Sequence, residues 1–148
     1  MRAVVQRVTD AKVVTDGETV GAIQDGLCVL LGVSTDDGEA DADYISDKLL
    51  GLRIFDDENA VPNKSVLDVG GAILLISQFT LLGDARKGRR PSYIDAARPE
   101  QAIPLYERCI ARLKASVPVE TGRFGADMKV EIHNDGPFTI LLDSKKGF

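Results

Sequence analysis

The chain has 148 residues, of which 44% are hydrophobic and 28% are charged, and its formal net charge is −5. This composition excludes a disordered or fibrous chain, and the negative charge excludes a protein whose whole surface attracts nucleic acid. The longest apolar runs, residues 27–33 and 72–76, are far shorter than the roughly 20 residues of a membrane span. We expect one domain over residues 1–148 and, because the N-terminus does not resemble a signal peptide, a cytoplasmic protein.

The few cysteine and histidine residues argue against a zinc site, whereas this count leaves a carboxylate site for Mg²⁺ or Ca²⁺ open. Cys28 lies in an apolar run and Cys109 on the apolar face of a helical pattern, as reduced core thiols do. His133 is the only histidine, so a zinc site would have too few ligands, and no segment has the spacing of a calcium loop. We predict no metal and no cofactor.

Strand patterns and turn residues dominate the start of the chain. Strands are predicted at residues 3–8, 11–15 and 19–23. Asp-Gly pairs at 16–17 and 25–26 favour tight turns, which predicts an antiparallel meander. The next run, residues 27–33, is apolar on both faces and is therefore predicted to lie in the centre of the sheet.

An acidic stretch precedes the first predicted helix. Ile45, Leu49 and Leu52 have the i, i+4, i+7 spacing of a buried helix face. The acidic residues that lead into this helix are Asp36, Asp37, Glu39, Asp41 and Asp43. Because negative charge stabilises a helix N-terminus, we interpret these carboxylates as capping and solubilising groups rather than metal ligands.

The second half of the chain predicts a buried strand, a helix and two further strands. A turn with two glycines leads into the apolar run 72–76. A helix is predicted after Pro99, with Pro104 in its first turn, where a missing N–H breaks no helical hydrogen bond. With strands at 129–133 and 138–142, the expected fold is α+β, a largely antiparallel, barrel-like sheet with two main helices packed against it.

Familiar catalytic motifs are absent from the sequence. The chain has no nucleophile elbow, no P-loop and no dinucleotide-binding glycine pattern. Alternation places His133 on the polar face of a strand, so we interpret it as a solvated side chain rather than the base of a catalytic triad. Catalysis would then depend on backbone groups, hydroxyls, bound water or the substrate itself.

Two polar segments at strand ends are the candidate sites. The first follows five apolar residues and contains Ser77, Gln78, Phe79 and Thr80. Polar groups in such a place either bind buried neighbours or line a pocket. The second, residues 134–139, joins two strands through a Gly136-Pro137 bond. The sequence alone favours an ordinary trans turn there, since only about 5–6% of X-Pro bonds are cis.

Both polar segments, and most of the chain, resemble the D-aminoacyl-tRNA deacylases of bacteria and eukaryotes. The likeness is carried by Ser77-Gln78-Phe79-Thr80-Leu81, by Asn134-Asp135-Gly136-Pro137-Phe138-Thr139, and by residues 1–8, 90–92 and 121–128. The resemblance implies hydrolysis of the ester between a D-amino acid, or glycine, and the terminal adenosine of tRNA. It also implies a homodimer with active sites at the subunit interface. The expected partners are therefore charged tRNA and a second copy of the chain, with no membrane and no DNA.

The Gly-Pro segment is expected to act as a chirality filter. In the family that this chain resembles, the bond is cis and enters the partner's pocket, which assigns this role to Gly136 and Pro137. Main-chain carbonyls there would accept from the substrate amino group and occupy the space that an L side chain needs. Arg7 is predicted to hold the loop by hydrogen bonds to its backbone, with Asn134 and Thr139 as further support. Without the resemblance, Arg7 would be interpreted as a surface cation.

The catalytic step is expected to need no general base. Backbone N–H groups around Phe79 and Thr80 would stabilise the oxyanion, while Ser77 and Gln78 would shape the adenosine end of the site. The resemblance implies that the 2′-hydroxyl of the terminal ribose helps to activate water. Thr80 as a covalent nucleophile is a competing mechanism that lacks a base to activate its hydroxyl.

One dense basic run is expected to contact the tRNA. It contains Arg86, Lys87, Arg89 and Arg90. These cations would bind the acceptor-stem phosphates with little sequence preference, although in an acidic protein such a run can also be a solvated loop.

Two functions from other classes stay open. A non-catalytic RNA-binding module would use the basic run and hydrolyse nothing, but aromatic residues make up only 5% of the chain and no stacking motif is present. A hydrolase of some other acyl ester would use Thr80 as nucleophile. Each alternative explains one polar segment and leaves the other without a role.

Overall fold

A six-stranded sheet forms the centre of the fold in a computed structural model that describes residues 1–148. Its strands are β1 (Arg2–Thr15), β2 (Glu18–Ile23), β3 (Gly26–Gly32), β6 (Ala72–Ser77), β7 (Val119–Thr121) and β8 (Lys129–Asp143). Between β3 and β6 lie helix α1 (Glu39–Gly51) and a small hairpin of β4 (Phe55–Asp56) and β5 (Pro62–Lys64). After β6 come a 3-10 turn (Phe79–Leu82) and helix α2 (Pro99–Lys114). Neither α-helix is long and apolar enough to span a membrane.

The strand order is β2-β1-β3-β6-β7, with β8 also paired to β1. The β3–β6 and β6–β7 pairs are parallel, and the pairs that β1 makes are antiparallel. The two ends of this order approach each other, because a Cβ on Gly21 of β2 would collide with the backbone oxygen of Thr121 in β7. The sheet therefore curls into a nearly closed, barrel-like shape.

The predicted meander is wrong. Asp16 and Gly17 form the expected tight turn with positive φ angles of 51° and 76°. However, β3 pairs with residues 2–8 of β1, and β2 pairs with residues 11–15 of the same strand. Strands β2 and β3 therefore lie one after the other along β1 and do not pair with each other. Asp25-Gly26 is thus a bend within one long arm of a hairpin, and not a reversal of the chain.

Two apolar clusters cover the two faces of the central strands. Leu27, Val29 and Leu31 of β3 join the larger cluster beneath the helices, while Cys28 joins the smaller cluster on the other face. Strand β6 alternates in the same way. Burial on both faces confirms the central position predicted for residues 27–33. It also raises the pKa of the Cys28 thiol to about 12, so this cysteine stays protonated at neutral pH.

The two helices differ from expectation in one place. Helix α2 begins at Pro99, so Pro104 is its sixth residue and not part of its first turn. The predicted place of Pro104 was therefore wrong. The helix tolerates this proline because its side faces solvent: the Glu100 carbonyl, which receives no N–H from residue 104, can accept a hydrogen bond from water instead. At the start of α1, Asp41 accepts a hydrogen bond of 2.9 Å from the Gly38 N–H and acts as the predicted cap.

Candidate active site

An apolar cavity of about 280 Å³ opens at the end of β6. Three residues of the first polar segment line it, namely Ser77, Gln78 and Phe79. The Gln78 N–H still donates to the Leu31 carbonyl of β3 at 2.8 Å, and the chain then leaves the sheet and turns into the 3-10 segment. The predicted site residues are therefore held between a buried strand and a tight turn.

The 3-10 turn has unused backbone donors at its start. The opening N–H groups of any helix lack intrahelical acceptors, and in this turn they belong to Phe79 and Thr80. A small anionic oxygen beside the turn could accept from them. The turn can thus stabilise developing negative charge without an ionisable side chain.

Thr80 differs from its neighbours in the first polar segment. Its side chain is exposed and does not line the cavity, and its hydroxyl accepts a hydrogen bond from the Gln78 side-chain amide. No histidine or carboxylate binds this hydroxyl. The arrangement offers Thr80 no base that would make it a nucleophile.

Aromatic and sulfur-containing side chains from later in the chain also line the cavity. Tyr106 of α2, Phe124 and Met128 line it. The Tyr106 hydroxyl donates to the Leu75 carbonyl at 2.6 Å, and its ring lies 6.1 Å from the ring of Phe124. Burial raises the pKa of Tyr106, so the hydroxyl stays protonated and serves as an anchor rather than as a base.

The second polar segment leaves the β1–β8 ladder as a bulge. Gln6 pairs with Thr139 and Val8 pairs with Asn134, so four residues of β8 oppose Arg7 alone. Gly136 and Pro137 at the centre of this loop are exposed, and the peptide bond between them is cis. The trans turn favoured by the sequence alone was wrong, and the geometry is that of the family resemblance.

Asn134 closes the base of this loop. Its side-chain amide donates to the carbonyls of Arg7 at 3.1 Å and Phe138 at 2.9 Å. The Thr139 hydroxyl donates to the Asn134 side-chain oxygen at 3.3 Å. Of the two residues named from the sequence as loop supports, Asn134 therefore binds the loop directly and Thr139 binds Asn134.

Arg7 lies beneath the loop and is only 7% exposed, so it is not a surface cation. Its Cζ lies 4.7 Å from the centre of the Phe138 ring, and its Nε lies 3.2 Å from the Asp135 carboxylate. Its hydrogen bond to a backbone carbonyl goes to Ile54, at 2.7 Å, and not to the loop. Arg7 thus contacts the loop through side chains, which corrects the predicted backbone bonds.

The loop and the cavity do not meet within one chain. None of residues 134–139 lines the cavity. The structure therefore brings Ser77, Gln78 and Phe79 together in one place and Arg7, Asn134, Gly136, Pro137 and Thr139 in another.

The basic run lies on a short hairpin. Asp84 and Ser92 exchange two backbone hydrogen bonds of 2.8 Å that close it. Arg86 donates to both carboxylate oxygens of Asp84, which lowers the pKa of that carboxyl to about 2. The other three cations of the run are exposed and make no ion pair; they are Lys87, Arg89 and Arg90.

Comparison with known proteins decides the family. A family model described as D-Tyr-tRNA(Tyr) deacylase matches residues 4–143. The chain belongs to this deacylase family. A D-aminoacyl-tRNA deacylase from Clostridium botulinum (strain Loch Maree / Type A3) is 59% identical over 149 residues and covers 100% of both chains. One from Symbiobacterium thermophilum is 58% identical over 149 residues, covering 100% of this chain and 99% of the relative.

Solved structures extend the comparison to the fold of the deacylase family. A protein named c-Myc DNA Unwinding Element Binding Protein has a TM-score of 0.91 at 43% identity, covering 97% of this chain and 98% of that one. A probable eukaryotic D-amino acid tRNA deacylase has a TM-score of 0.80 at 17% identity, covering 95% and 97%. These matches confirm the predicted α+β class, a barrel-like sheet with two helices packed against it.

Part of the cavity wall in this deacylase-family chain was missed from the sequence. Tyr106 lies three residues before Cys109 on the apolar face of the helical pattern that follows Pro99, and nothing in such a pattern separates a core tyrosine from one that also borders a cavity. Phe124 and Met128 fall within the resemblance at residues 121–128, but no role was assigned to them. Their side chains are placed by a loop that has no periodic pattern of its own.

Proposed function

We propose that this chain hydrolyses the ester bond of D-aminoacyl-tRNA and releases the amino acid and the tRNA. The full-length identity with named deacylases supports this function. The observation that carries it is the cavity at the end of β6, which is lined by Phe79, one of the two residues with free backbone donors, and by no acid–base pair. Such a site suits an ester that is already activated. Residues 1–148 would act as one domain, in the cytoplasm where charged tRNA is used.

Oxyanion stabilisation and positioning are sufficient for this reaction. An acceleration of about 10⁴-fold requires roughly 5.5 kcal/mol of barrier lowering. The loss of one oxyanion donor typically costs about 2.7–4 kcal/mol, so two donors and a positioned water supply enough. The N–H groups of Phe79 and Thr80 would face the oxyanion, while Ser77 and Gln78 would contact the terminal adenosine. The 2′-hydroxyl of that adenosine would assist the attacking water.

A second copy of the chain would complete the site. The loop that contains Gly136 and Pro137 protrudes from β8 and does not line the cavity of its own chain. Inserted into the cavity of a partner, its main-chain carbonyls would accept from the substrate amino group and exclude an L side chain by steric clash. Glycine has no side chain to exclude, so glycyl-tRNA would also be a substrate. The functional unit would therefore be a homodimer.

The basic hairpin would contact the tRNA outside the cavity. Lys87, Arg89 and Arg90 are the cations free to bind acceptor-stem phosphates, and Arg86 would brace the hairpin through Asp84. Contacts to phosphate carry little sequence information, which suits an enzyme that serves many tRNAs.

The test is deacylation of D-tyrosyl-tRNA and L-tyrosyl-tRNA by the purified protein, with a chelator present and an enzyme-free control for spontaneous hydrolysis. We expect rapid loss of the D ester while the L ester decays at the control rate. If both esters decay at the control rate and the protein nevertheless binds deacylated tRNA, the deacylase proposal fails and an RNA-binding module replaces it.

A further inference from the structure

Two aromatic rings lie exposed at the mouth of the cavity. Phe79 is 57% exposed and Tyr93 is 40% exposed, with ring centres 5.2 Å apart and ring planes at 70°. Phe79 also lines the cavity, so the ring pair begins where the cavity ends. Exposed aromatic faces beside a pocket are typical of a binding surface rather than of a core.

The backbone holds this ring pair against the 3-10 turn. A Cβ on Gly83, the residue after the turn, would lie 3.0 Å from Tyr93 Cε1 and 3.0 Å from the Thr80 carbonyl oxygen. The Tyr93 ring therefore packs directly on the chain that leaves the turn. The hydrogen bonds between Asp84 and Ser92 fix the hairpin that leads back to Tyr93.

Unpaired positive charge is concentrated on the same hairpin. Lys87, Arg89 and Arg90 are exposed and without ion pairs, in a chain whose net charge is −5. Aromatic faces next to a group of cations match a single-stranded nucleic acid, whose bases stack and whose phosphates are anionic. An apolar peptide would leave these charges without partners.

We propose that the Tyr93 ring stacks on the base that precedes the terminal adenosine, with the nearly perpendicular Phe79 ring against the edge of that base, and that the hairpin cations contact the phosphates of this single-stranded 3′ end. This inference rests on the proposed deacylase function, which places the terminal adenosine in the cavity. Because the ring pair lies at the cavity mouth, the next nucleotide along the strand is the one that reaches it. The enzyme would then recognise at least two nucleotides of its substrate.

Two short substrates test this inference, the D-tyrosyl ester of adenosine and the D-tyrosyl ester of the dinucleotide cytidylyl-adenosine. We expect kcat/KM for the dinucleotide ester to exceed that for the adenosine ester by about tenfold, because one stacked base typically strengthens binding by about this factor. Tyr93→Ala should reduce that ratio to near one, and Tyr93→Phe should keep it. Ile94→Ala is the matched control, since Ile94 is 81% exposed and next in the chain but has no ring.

The outcomes separate this inference from the function on which it rests. If the wild-type ratio is near one, or if Tyr93→Ala keeps the wild-type ratio, the stacking surface is overturned while deacylation of D-tyrosyl-tRNA stands. If Tyr93→Ala instead converts the protein to monomers in sedimentation, the ring pair is a subunit interface and the inference also fails. If the wild type hydrolyses neither D-tyrosyl-tRNA nor either short ester, the proposed function and the stacking surface fail together.

Discussion

Gly136 determines how closely the Gly-Pro loop packs on Arg7. Its φ is +114°, a value that L side chains rarely adopt. A Cβ at this position would lie 2.9 Å from Arg7 Nη2 and 3.1 Å from the Phe138 ring. The loop can therefore lie against the buried guanidinium only because residue 136 has no side chain.

Replacing this glycine should displace the loop without unfolding the sheet. We expect Gly136→Ala to reduce the ratio of D- to L-tyrosyl-tRNA hydrolysis by about tenfold, because a displaced filter no longer excludes the L side chain. The free energy of unfolding should fall by about 1–3 kcal/mol from backbone strain. Gly51→Ala makes the same chemical change where no atom lies within 4 Å of the added methyl. An unchanged ratio in Gly136→Ala would exclude the loop as the filter.

An ion pair on the surface changes the titration of the only histidine. His133 Nδ1 lies 2.7 Å from an Asp10 carboxylate oxygen, and this hydrogen bond raises the pKa of His133. The exposed position of His133 agrees with its predicted place on the polar face of a strand. Because the folded-state pKa is raised, the stabilisation is complete below the unfolded-state pKa and is lost as the pH rises through the folded-state value.

Removing the carboxylate should reverse this shift. In Asp10→Asn we expect the pKa of His133 to move down toward its ordinary value, and the loss of stability with rising pH across that window to disappear. NMR titration of the imidazole measures the pKa, and chemical denaturation at several pH values measures the stability. An unchanged imidazole titration would show that the pair does not form in solution.

At the scale of elements, the periodicity of apolar residues predicts the buried strands well. It predicts poorly where a bulge interrupts a strand or where a strand is very short. Apolar runs locate β3 and β6 because burial on both faces requires them. The alternation at 129–133 and 138–142 is correct, but the two segments are one strand, β8, whose ladder continues past a bulge. Strand β7 was missed, because three residues are too few for a pattern to show. These features depend on pairing partners far along the chain, which local residue order does not encode.

The residues of the candidate site also fall into those that the local sequence pattern reveals and those that it does not. Ser77, Gln78 and Phe79 are recognisable because polar residues interrupt an apolar strand. Arg7 was recognised only through the family resemblance, since an arginine in an alternating strand is usually exposed. Its burial follows from the start of the β4–β5 hairpin: the carbonyl of Ile54, just before β4, accepts from the guanidinium, and Asp56 of β4 forms an ion pair with it. That hairpin has no strong strand pattern in the sequence.

The basic hairpin should contribute to tRNA affinity through charge. We expect Arg89→Gln to reduce by about one the slope of log affinity against log salt concentration for uncharged tRNA, because one phosphate contact is lost. Lys12→Gln is the control, because it makes the same charge change far from the 3-10 turn. The near end of β1 is marked by Arg2, whose guanidinium donates to the Leu81 carbonyl in that turn, and Lys12 lies toward the other end of the strand. Filter binding over a range of salt concentrations measures both slopes. Equal slopes in the two variants would place the phosphates elsewhere.

At the scale of the whole molecule, the curled sheet holds the cavity and the Gly-Pro loop apart within one chain. The cavity opens where β6 meets the 3-10 turn, while the loop leaves the fold from β8 opposite Arg7. Each half is fixed by buried contacts of its own. The cavity is held by the Tyr106 bond to Leu75, and the loop rests on the Arg7 side chain.

The separation of loop and cavity has a genetic consequence under the proposed dimer. A chain with a damaged loop would keep its own cavity intact and impair the accuracy of its partner instead. In a cell that expresses normal and loop-damaged copies, every mixed pair would contain one faithful site and one error-prone site. Such an allele would be partly dominant, and a second allele damaged only in the cavity could complement it.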